Sequence, residues 1–270
     1  KGVIIPGADA EGVTTAVEFL REANTGSVTL NGRVVVCGGG NVAVDAARVA
    51  SRSGAKEVTM ASLETEDIMP ASKEDLEEAR ADGVIVKDGW GPKEILTENG
   101  KVTAVVFKKC TAVYDADNNF APQYCETELI TVPCEKVIFA VGQANAPGAL
   151  FDGSQVELSG SKRPAADRLT YQTAEPDIFV GGDFYTGPAF AIDAIGEGHE
   201  AAESLHRFVQ HGHMTIGRNR REFIELDKGD ITLPSYDTGL RREPEKAPAK
   251  EKTPVMQLFK DLNGTLTEEQ

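Results

Sequence analysis

The chain has 270 residues, with 43 acidic against 28 basic side chains and a formal net charge of −15. That length suffices for one large or two small domains, each burying its own core. The acidic balance argues against nucleic acid or an anionic membrane as the main partner, and no apolar run approaches the length that spans a bilayer.

The sequence opens abruptly on Lys1-Gly2-Val3-Ile4-Ile5-Pro6-Gly7 and stops after Leu266 to Gln270 without a terminating signal, so it reads as a piece of a longer protein. The strongest local pattern begins at Arg33. Val34, Val35, Val36 and Cys37 form the short continuous apolar run of a buried parallel strand. Gly38-Gly39-Gly40-Asn41-Val42-Ala43 follows directly, and Ala43, Ala46, Ala47 and Ala50 then recur at helical spacing. This predicts a helix whose small-residue face lies close against a sheet, with Arg48 and Arg52 on another face. Ser53-Gly54 ends it, and Glu57-Val58-Thr59-Met60 reads as the next strand, completing a right-handed βαβ unit.

A second helix is expected over residues 72–82, with Ser72 as N-cap and Asp75 as a weak capping-box partner. Gly83 closes it, and Val84-Ile85-Val86 supplies another strand. Residues 94–97 and 102–108 then flank Glu98-Asn99-Gly100-Lys101, and Asn-Gly is a strong hairpin signal. A turn near residues 115–119 and a strand near 128–132 extend the hairpin into a three-stranded meander, after which Val137-Ile138-Phe139-Ala140 returns as a buried strand. Further on, Ile178-Phe179-Val180 reads as one more buried strand, ending in Gly181-Gly182-Asp183. A long helix is expected from near Ala189 to about Gln210, with Ala191, Ala194, Ile195, Gly198, Ala202, Leu205 and Val209 on its packing face. Residues 243–254 read as a Pro/Lys/Glu linker, and Val255, Leu258, Phe259 and Leu262 as a short amphipathic helix.

Three elements carry chemistry. Gly38-x-Gly40-x-x-Ala43 has the strand–turn–helix context of a dinucleotide-binding fingerprint. Gly38 permits the tight turn, Gly40 lets the backbone approach a pyrophosphate, and Ala43 keeps the helix near the strand. The free N–H groups of the turn, from Gly38, Gly39, Gly40, Asn41 and Val42, face the phosphates with the helix dipole behind them. The plain alternative is a glycine-rich turn with no ligand. At the end of the second strand the sequence reads Ser62-Leu63-Glu64-Thr65-Glu66, with no Arg or Lys until Lys73. Glu64 is the residue best placed to accept the adenosine ribose hydroxyls, which favours NAD over NADP; a solvated acidic loop is the alternative. Third, Gly182 and Asp183 at a strand end, followed by Ala189, Phe190 and Ala191 at a helix start, suit a flavin. The carboxylate would accept a hydrogen bond from a sugar or ribityl hydroxyl, and the helix N-terminus would stabilise a reduced isoalloxazine. Alone, that motif does not distinguish a flavin contact from an Asp that caps a turn.

The four cysteines, Cys37, Cys110, Cys125 and Cys134, include no C-x-x-C pair. That argues against a zinc site, an iron–sulfur cluster or a redox dithiol built by this chain alone, and suits a reducing cytoplasm. His199, His206, His211 and His213 have no second partner at metal spacing. No catalytic side chain and no metal ligand is assigned, because hydride transfer between cofactors needs no protein acid or base.

Taken in series, these motifs resemble the glutamate synthase small (β) subunit and its relatives, among them the N-terminal electron-entry half of dihydropyrimidine dehydrogenase. The resemblance runs over about residues 1–215. Its anchors are Ile5-Pro6-Gly7, Glu18-Phe19-Leu20, the Val36 to Asp45 stretch, Met69-Pro70-Ala71-Ser72, Ala140-Val141-Gly142-Gln143, Gln172-Thr173, Gly181-Gly182-Asp183 and Ala191-Ile192-Asp193-Ala194-Ile195. It implies an α/β fold: a Rossmann-like, three-layer NAD(P)-binding domain with a β-meander over residues 29–141. That domain would be nested in a partial FAD-binding domain made of 1–28 and 142–216, with 217–270 an extended tail. It implies that Ala140, Val141 and Gly142 lie along the nicotinamide half of the coenzyme. It further implies hydride transfer from NAD(P)H to FAD, then single electrons through iron–sulfur clusters, held in parts of the parent protein outside this chain, to a partner oxidoreductase subunit or ferredoxin-type module. NADPH-using members carry a basic pair where this chain has Leu63-Glu64, a departure that agrees with the charge argument for NAD. The competing reading is a non-catalytic NAD-binding sensor or interaction module; a disulfide reductase is disfavoured by the missing cysteine pair.

Overall fold

The computed structural model describes residues 3–26 and 28–218, so the linker and short helix expected beyond residue 242 lie outside the described residues. The chain divides into two compact units after Gly142.

The first unit is an α/β sandwich. A short strand, Val13–Thr15 (β1), runs directly into the helix Ala16–Asn24 (α1). Thr15 caps that helix by accepting from the Glu18 backbone N–H at 3.3 Å, and the Glu18 carboxylate returns the bond to the Thr15 N–H. The strand Arg33–Cys37 (β2), the helix Asn41–Arg52 (α2) and the strand Glu57–Ala61 (β3) form the expected βαβ unit. The helix Lys73–Ala81 (α3) starts from Ser72, whose hydroxyl accepts from the Asp75 N–H at 3.1 Å. Then come the strand Val84–Lys87 (β4), the meander strands Trp90–Glu98 (β5), Lys101–Tyr114 (β6) and Phe120–Pro133 (β7), and the return strand Lys136–Phe139 (β8). Asn99 and Gly100 both hold positive φ, 51° and 77°, as a tight hairpin of the Asn-Gly kind requires.

Strands β1-β8-β2-β3-β4 make a five-stranded, all-parallel sheet, and β5-β6-β7 a separate antiparallel one. Alternation along the central strands explains the layering. Val34, Val36, Val58, Met60 and Ile138 face one way, into a cluster with Phe19 of α1, the alanines of α2 and Leu76 of α3. Val35, Cys37, Ala61, Val137 and Phe139 face the other way, against Ile95, Val102, Val105, Phe107 and Val132 of the meander. The parallel sheet is thus covered on both faces, as strands with near-continuous apolar sequence require. Ala43, Ala46, Ala47 and Ala50 are wholly buried, and their size lets α2 lie close to the sheet. On its other side Arg48 and Arg52 converge on Asp82, at 2.9 and 3.0 Å, and Arg48 also reaches Glu78. This pins α2 to the end of α3.

The structure corrects several expectations. Residues 1–28 were expected with the flavin-type half, yet β1 pairs in parallel with β8, and Val3, Ile5, Ala10 and Val13 pack on the meander-side cluster. A three-residue strand has too little periodicity to declare its partner; the exposed edge of β8 selects it. The strand expected at 128–132 is longer, because β7 stays paired with β6 from Phe120 through shifts in register near Lys108, Cys110 and Ala112. In the second unit, residues 178–180 form no extended strand: Phe179 makes one isolated bridge, to Gln172. The long helix, Ala191–Val209 (α4), begins two residues later than expected. Its expected packing face is largely exposed, with Ile195 at 56%, Leu205 at 45% and Val209 at 61%; Ser204 is its one buried residue.

Candidate functional site

The glycine turn joins β2 to α2 at the C-terminal edge of the parallel sheet. Its entry is held by two backbone bonds, from the Gly38 N–H to the Ala61 carbonyl and from the Ala140 N–H to the Cys37 carbonyl, each 2.8 Å. Gly38 has φ +148°, and a Cβ there would lie 2.5 Å from the Ala140 carbonyl oxygen, so a side chain is excluded twice over. At Gly39 a Cβ would overlap the Ser62 hydroxyl and come within 2.8 Å of the Glu64 carboxylate and 3.1 Å of Met69. Around Gly40 the corresponding space is open. Gly40 is the N-cap of α2 and supplies no side-chain cap, so the first-turn N–H groups at Asn41 and Val42 are left at the positive end of the helix dipole. Such an arrangement binds anions, a pyrophosphate among them. Cys37, just before the turn, is 1% exposed, and burial pushes its thiol far above the usual range, so it is packing and not a nucleophile.

The end of β3 brings a carboxylate to the same place. Ser62 follows the strand directly and is 1% exposed. Its hydroxyl donates to Glu64 Oε2 and accepts from the Glu64 N–H at 3.2 Å, which folds the half-buried Glu64 back against Gly39. The loop that follows is latched over the turn: the Ala71 N–H donates to the Gly39 carbonyl at 2.9 Å and the Ser72 N–H to Asn41 Oδ1 at 3.1 Å. Asn41, expected as a coenzyme contact, thus spends its side-chain oxygen on this latch; its backbone N–H and its side-chain NH2 are the groups left to a ligand. Sequence reasoning did not single out Ser62 or the role of Met69-Pro70-Ala71-Ser72. A small polar residue two positions before the candidate acid was the signal available for the first. Beside this loop lies an open cleft lined by Glu66, Asp67, Lys73, Leu76, Glu77, Arg80 and Asp88, and Arg80 is paired with Glu66 at 2.7 Å.

Ala140, Val141 and Gly142 leave β8 beside the turn, with the Ala140 carbonyl against Gly38, Val141 exposed and Gly142 at φ +82°. The structure therefore brings Gly38, Gly39, Gly40, Asn41, Val42, Glu64 and Ala140–Gly142 to one edge of one sheet. In the second unit, Gly182 and Asp183 lie in a single 3₁₀ turn, Gly182–Phe184. Gly182 takes φ +66°, and its N–H donates to Glu197 of α4 at 2.5 Å. Asp183 is exposed, and among the described residues its carboxylate accepts no hydrogen bond, so it is not spent on capping that turn. Ala189, Phe190 and Ala191 are exposed at the start of α4, where the Asp193 carboxylate accepts from the Phe190 N–H at 3.1 Å. Glu197, one turn into α4, is a partner that sequence reasoning missed; nothing local marks a helix Glu as the anchor of a distant glycine turn.

A parallel sheet with a glycine turn, an acid at the second strand end and an antiparallel meander on the far face recurs among known proteins. Residues 2–198 match the pyridine nucleotide-disulphide oxidoreductase family. The chain belongs to that family. The NADP(+)-dependent formate dehydrogenase subunit beta of Moorella thermoacetica is 31% identical over 233 residues, covering 85% of this chain and 32% of that subunit. The glutamate synthase (NADPH) small chain of Escherichia coli K12 is 33% identical over 220 residues, 75% of this chain and 46% of that one. The chain thus spans less than half the length of either relative. Among solved structures, T. acidophilum thioredoxin reductase superposes with a TM-score of 0.61 at 21% identity, over 78% of this chain and 62% of that one. Mycobacterium tuberculosis FprA in complex with NADPH gives 0.62 at 18%, over 78% and 61%. These two establish the shared α/β fold. The resemblance read from the sequence and the family agree.

Proposed function

We propose that this chain is the coenzyme-binding, electron-input part of a flavin-dependent oxidoreductase, taking NADH in preference to NADPH. One observation carries the reading: the Glu64 carboxylate sits at the same glycine turn that opens α2. The residues present fit a dinucleotide. The amides of Gly39 to Val42 receive the pyrophosphate, Glu64 accepts the ribose hydroxyls, and the backbone at Ala140, Val141 and Gly142 borders the nicotinamide side. Gly182, Asp183 and Ala189–Ala191 offer FAD an acceptor carboxylate and a helix N-terminus. When bound, the two cofactors supply the redox chemistry, hydride leaving the nicotinamide for the flavin; the chain's own part is to bind and orient them. Passage of electrons onward through iron–sulfur clusters to a partner subunit or ferredoxin-type module belongs to the same reading, supported by the relatives being named as subunits.

The two relatives above are named for NADP(H), and the preference proposed here runs against those names because of charge. A carboxylate 4 Å from a 2′-phosphate is repelled by about 4 kcal/mol per charge pair at an effective dielectric of 20. The adjoining cleft adds Glu66, Asp67, Glu77 and Asp88 against Lys73 and Arg80. Calorimetric titration of the chain with both coenzymes tests this. NADH should bind more tightly, and Glu64→Arg combined with Leu63→Arg should narrow or reverse the preference by offering the phosphate a bidentate partner. Equal or tighter NADPH binding by the unaltered chain would overturn the preference.

A further inference from the structure

We infer that Ser62 is a positioning residue for coenzyme selectivity, acting through Glu64 and not by touching the coenzyme; the inference rests on the coenzyme reading of Glu64. Three observations place it in that role. First, its main chain is clamped on both sides of the residue: the Ser62 N–H donates to the Lys87 carbonyl at 3.0 Å, and the Trp90 N–H donates to the Ser62 carbonyl at 2.6 Å. The first bond extends the β3–β4 pairing one residue past β3 and the second ties Ser62 to the first residue of β5, so the direction of the Ser62 side chain is set by its main-chain partners. Second, Ser62 is 1% exposed, with its hydroxyl wedged between Gly39 and Glu64. Third, the hydroxyl has one proton to give, and it gives it to Glu64 Oε2, while one of its lone pairs takes the Glu64 N–H at 3.2 Å. The serine therefore grips its neighbour at both the main chain and the carboxylate.

Gripping Oε2 turns the carboxylate toward the glycine turn and leaves Oε1 to accept from the ligand. A free glutamate would have to be immobilised at the moment of binding, and the rotamer freedom of so long a side chain corresponds to about a tenfold change in affinity. Ser62 removes that cost in advance, which is preorganisation in the ordinary sense. The grip helps only a ligand that uses the carboxylate. It favours a ribose with two free hydroxyls and gives nothing to one whose 2′ position carries phosphate, so it sharpens discrimination as well as affinity. It also accounts for Gly39, since any side chain there would displace the Ser62–Glu64 pair.

The test is a double-mutant cycle on the full chain, reading NADH and NADPH dissociation constants for the unaltered protein, Ser62→Ala, Glu64→Ala and the double variant, with thermal melting to verify folding. The expected result is that Ser62→Ala weakens NADH about tenfold and NADPH much less, and has no further effect once Glu64 is Ala. Ser62→Cys, which keeps the size with a weaker donor, should fall between serine and alanine, and it serves as the probe if the alanine variant does not fold. Equal weakening of both coenzymes, or the same loss with and without Glu64, would show that Ser62 merely supports the loop and would overturn the inference. If Glu64→Ala itself leaves the ratio of NADH to NADPH affinity unchanged, the coenzyme reading of Glu64 fails and the inference falls with it. If Glu64→Ala shifts that ratio while neither Ser62 variant does, only the role of Ser62 is lost.

Discussion

The two units of this chain solve the problem of burial differently. In residues 3–142 the parallel sheet is sealed on both faces, by three helices on one side and the meander on the other, and Phe19, Phe107, Met60 and Ile138 are fully enclosed. Burying side chains of that size contributes roughly 1.5–3 kcal/mol each. In residues 143–218 Val180, at 9%, and Pro164 are the only buried apolar side chains among the described residues. That unit is held by half-buried aromatic pairs, Phe151–Phe184, Tyr171–Tyr185 and Phe179–Phe208, together with polar contacts. The Asp167 carboxylate accepts from the N–H groups of Leu169 and Thr170 at 2.9 and 2.8 Å, the Tyr185 hydroxyl donates to the Ala166 carbonyl at 3.0 Å, and Arg218 bonds the Leu169 and Glu200 carbonyls. Meanwhile Phe190, Ile192, Ile195, Leu205 and Val209 stay exposed. An apolar stripe on a helix states that a helix can pack; it does not supply the surface to pack against.

That contrast can be broken by experiment. The largest effect should come from the seam between α2 and α3. Asp82, with its side chain 5% exposed, neutralises Arg48 and Arg52, and removing one member of a buried ion cluster strands the others. Asp82→Ala is expected to destabilise the first unit by about 3 kcal/mol, read as a lowered midpoint in urea. A change under 1 kcal/mol would mean that the two arginines find solvent at no cost and that apolar contacts alone hold the seam.

A second effect, smaller over any one pH unit, should appear in the first unit at alkaline pH. Burial pushes the Cys134 thiol up to about 12 from an ordinary 9.0, and the Cys37 thiol higher still. The folded state keeps both protonated while the unfolded chain loses the protons above pH 9. Their contribution is therefore complete below pH 9 and falls above it, that of Cys134 being lost as pH rises through about 12 and that of Cys37 only beyond. The slope is about 1.4 kcal/mol per thiol for each pH unit, and it should vanish for that thiol in Cys134→Ala. Denaturant midpoints measured between pH 8 and 11 would show it, and a flat profile would contradict the sealed core.

The smallest effect should lie on α4. Ile195 is 56% exposed, so Ile195→Ser should alter thermal stability by no more than about 0.5 kcal/mol, the ordinary range for surface positions. A loss beyond 1 kcal/mol would mean that the stripe is covered in solution, and sedimentation of the same samples would show whether a second copy covers it.

Much of the site could be read before any coordinates. The Val34–Cys37 run, the three glycines and the alanine spacing of α2 are local signals obeying local rules, and each is where the pattern places it. Glu64 was legible as the acid at a strand end, and the Asn99-Gly100 turn as a hairpin. The membership of β1 in the parallel sheet was not, because Val13, Thr14 and Thr15 are each half-buried and their partner β8 lies far along the chain. Glu197 was not legible either, since its contact with Gly182 depends on how α4 folds back on the turn.

By itself, then, the amino-acid order determined the strand–turn–helix unit, the small face of α2, the meander and the acid at the second strand end, all through periodicity and the backbone limits of glycine and asparagine. Tertiary structure alone decided which edge strand completes the sheet, which face of α4 stays uncovered, and that a buried serine grips the glutamate at the glycine turn. Those outcomes depend on contacts between residues distant in sequence or on the exact direction of a side chain, and neither leaves a period in the sequence to be read.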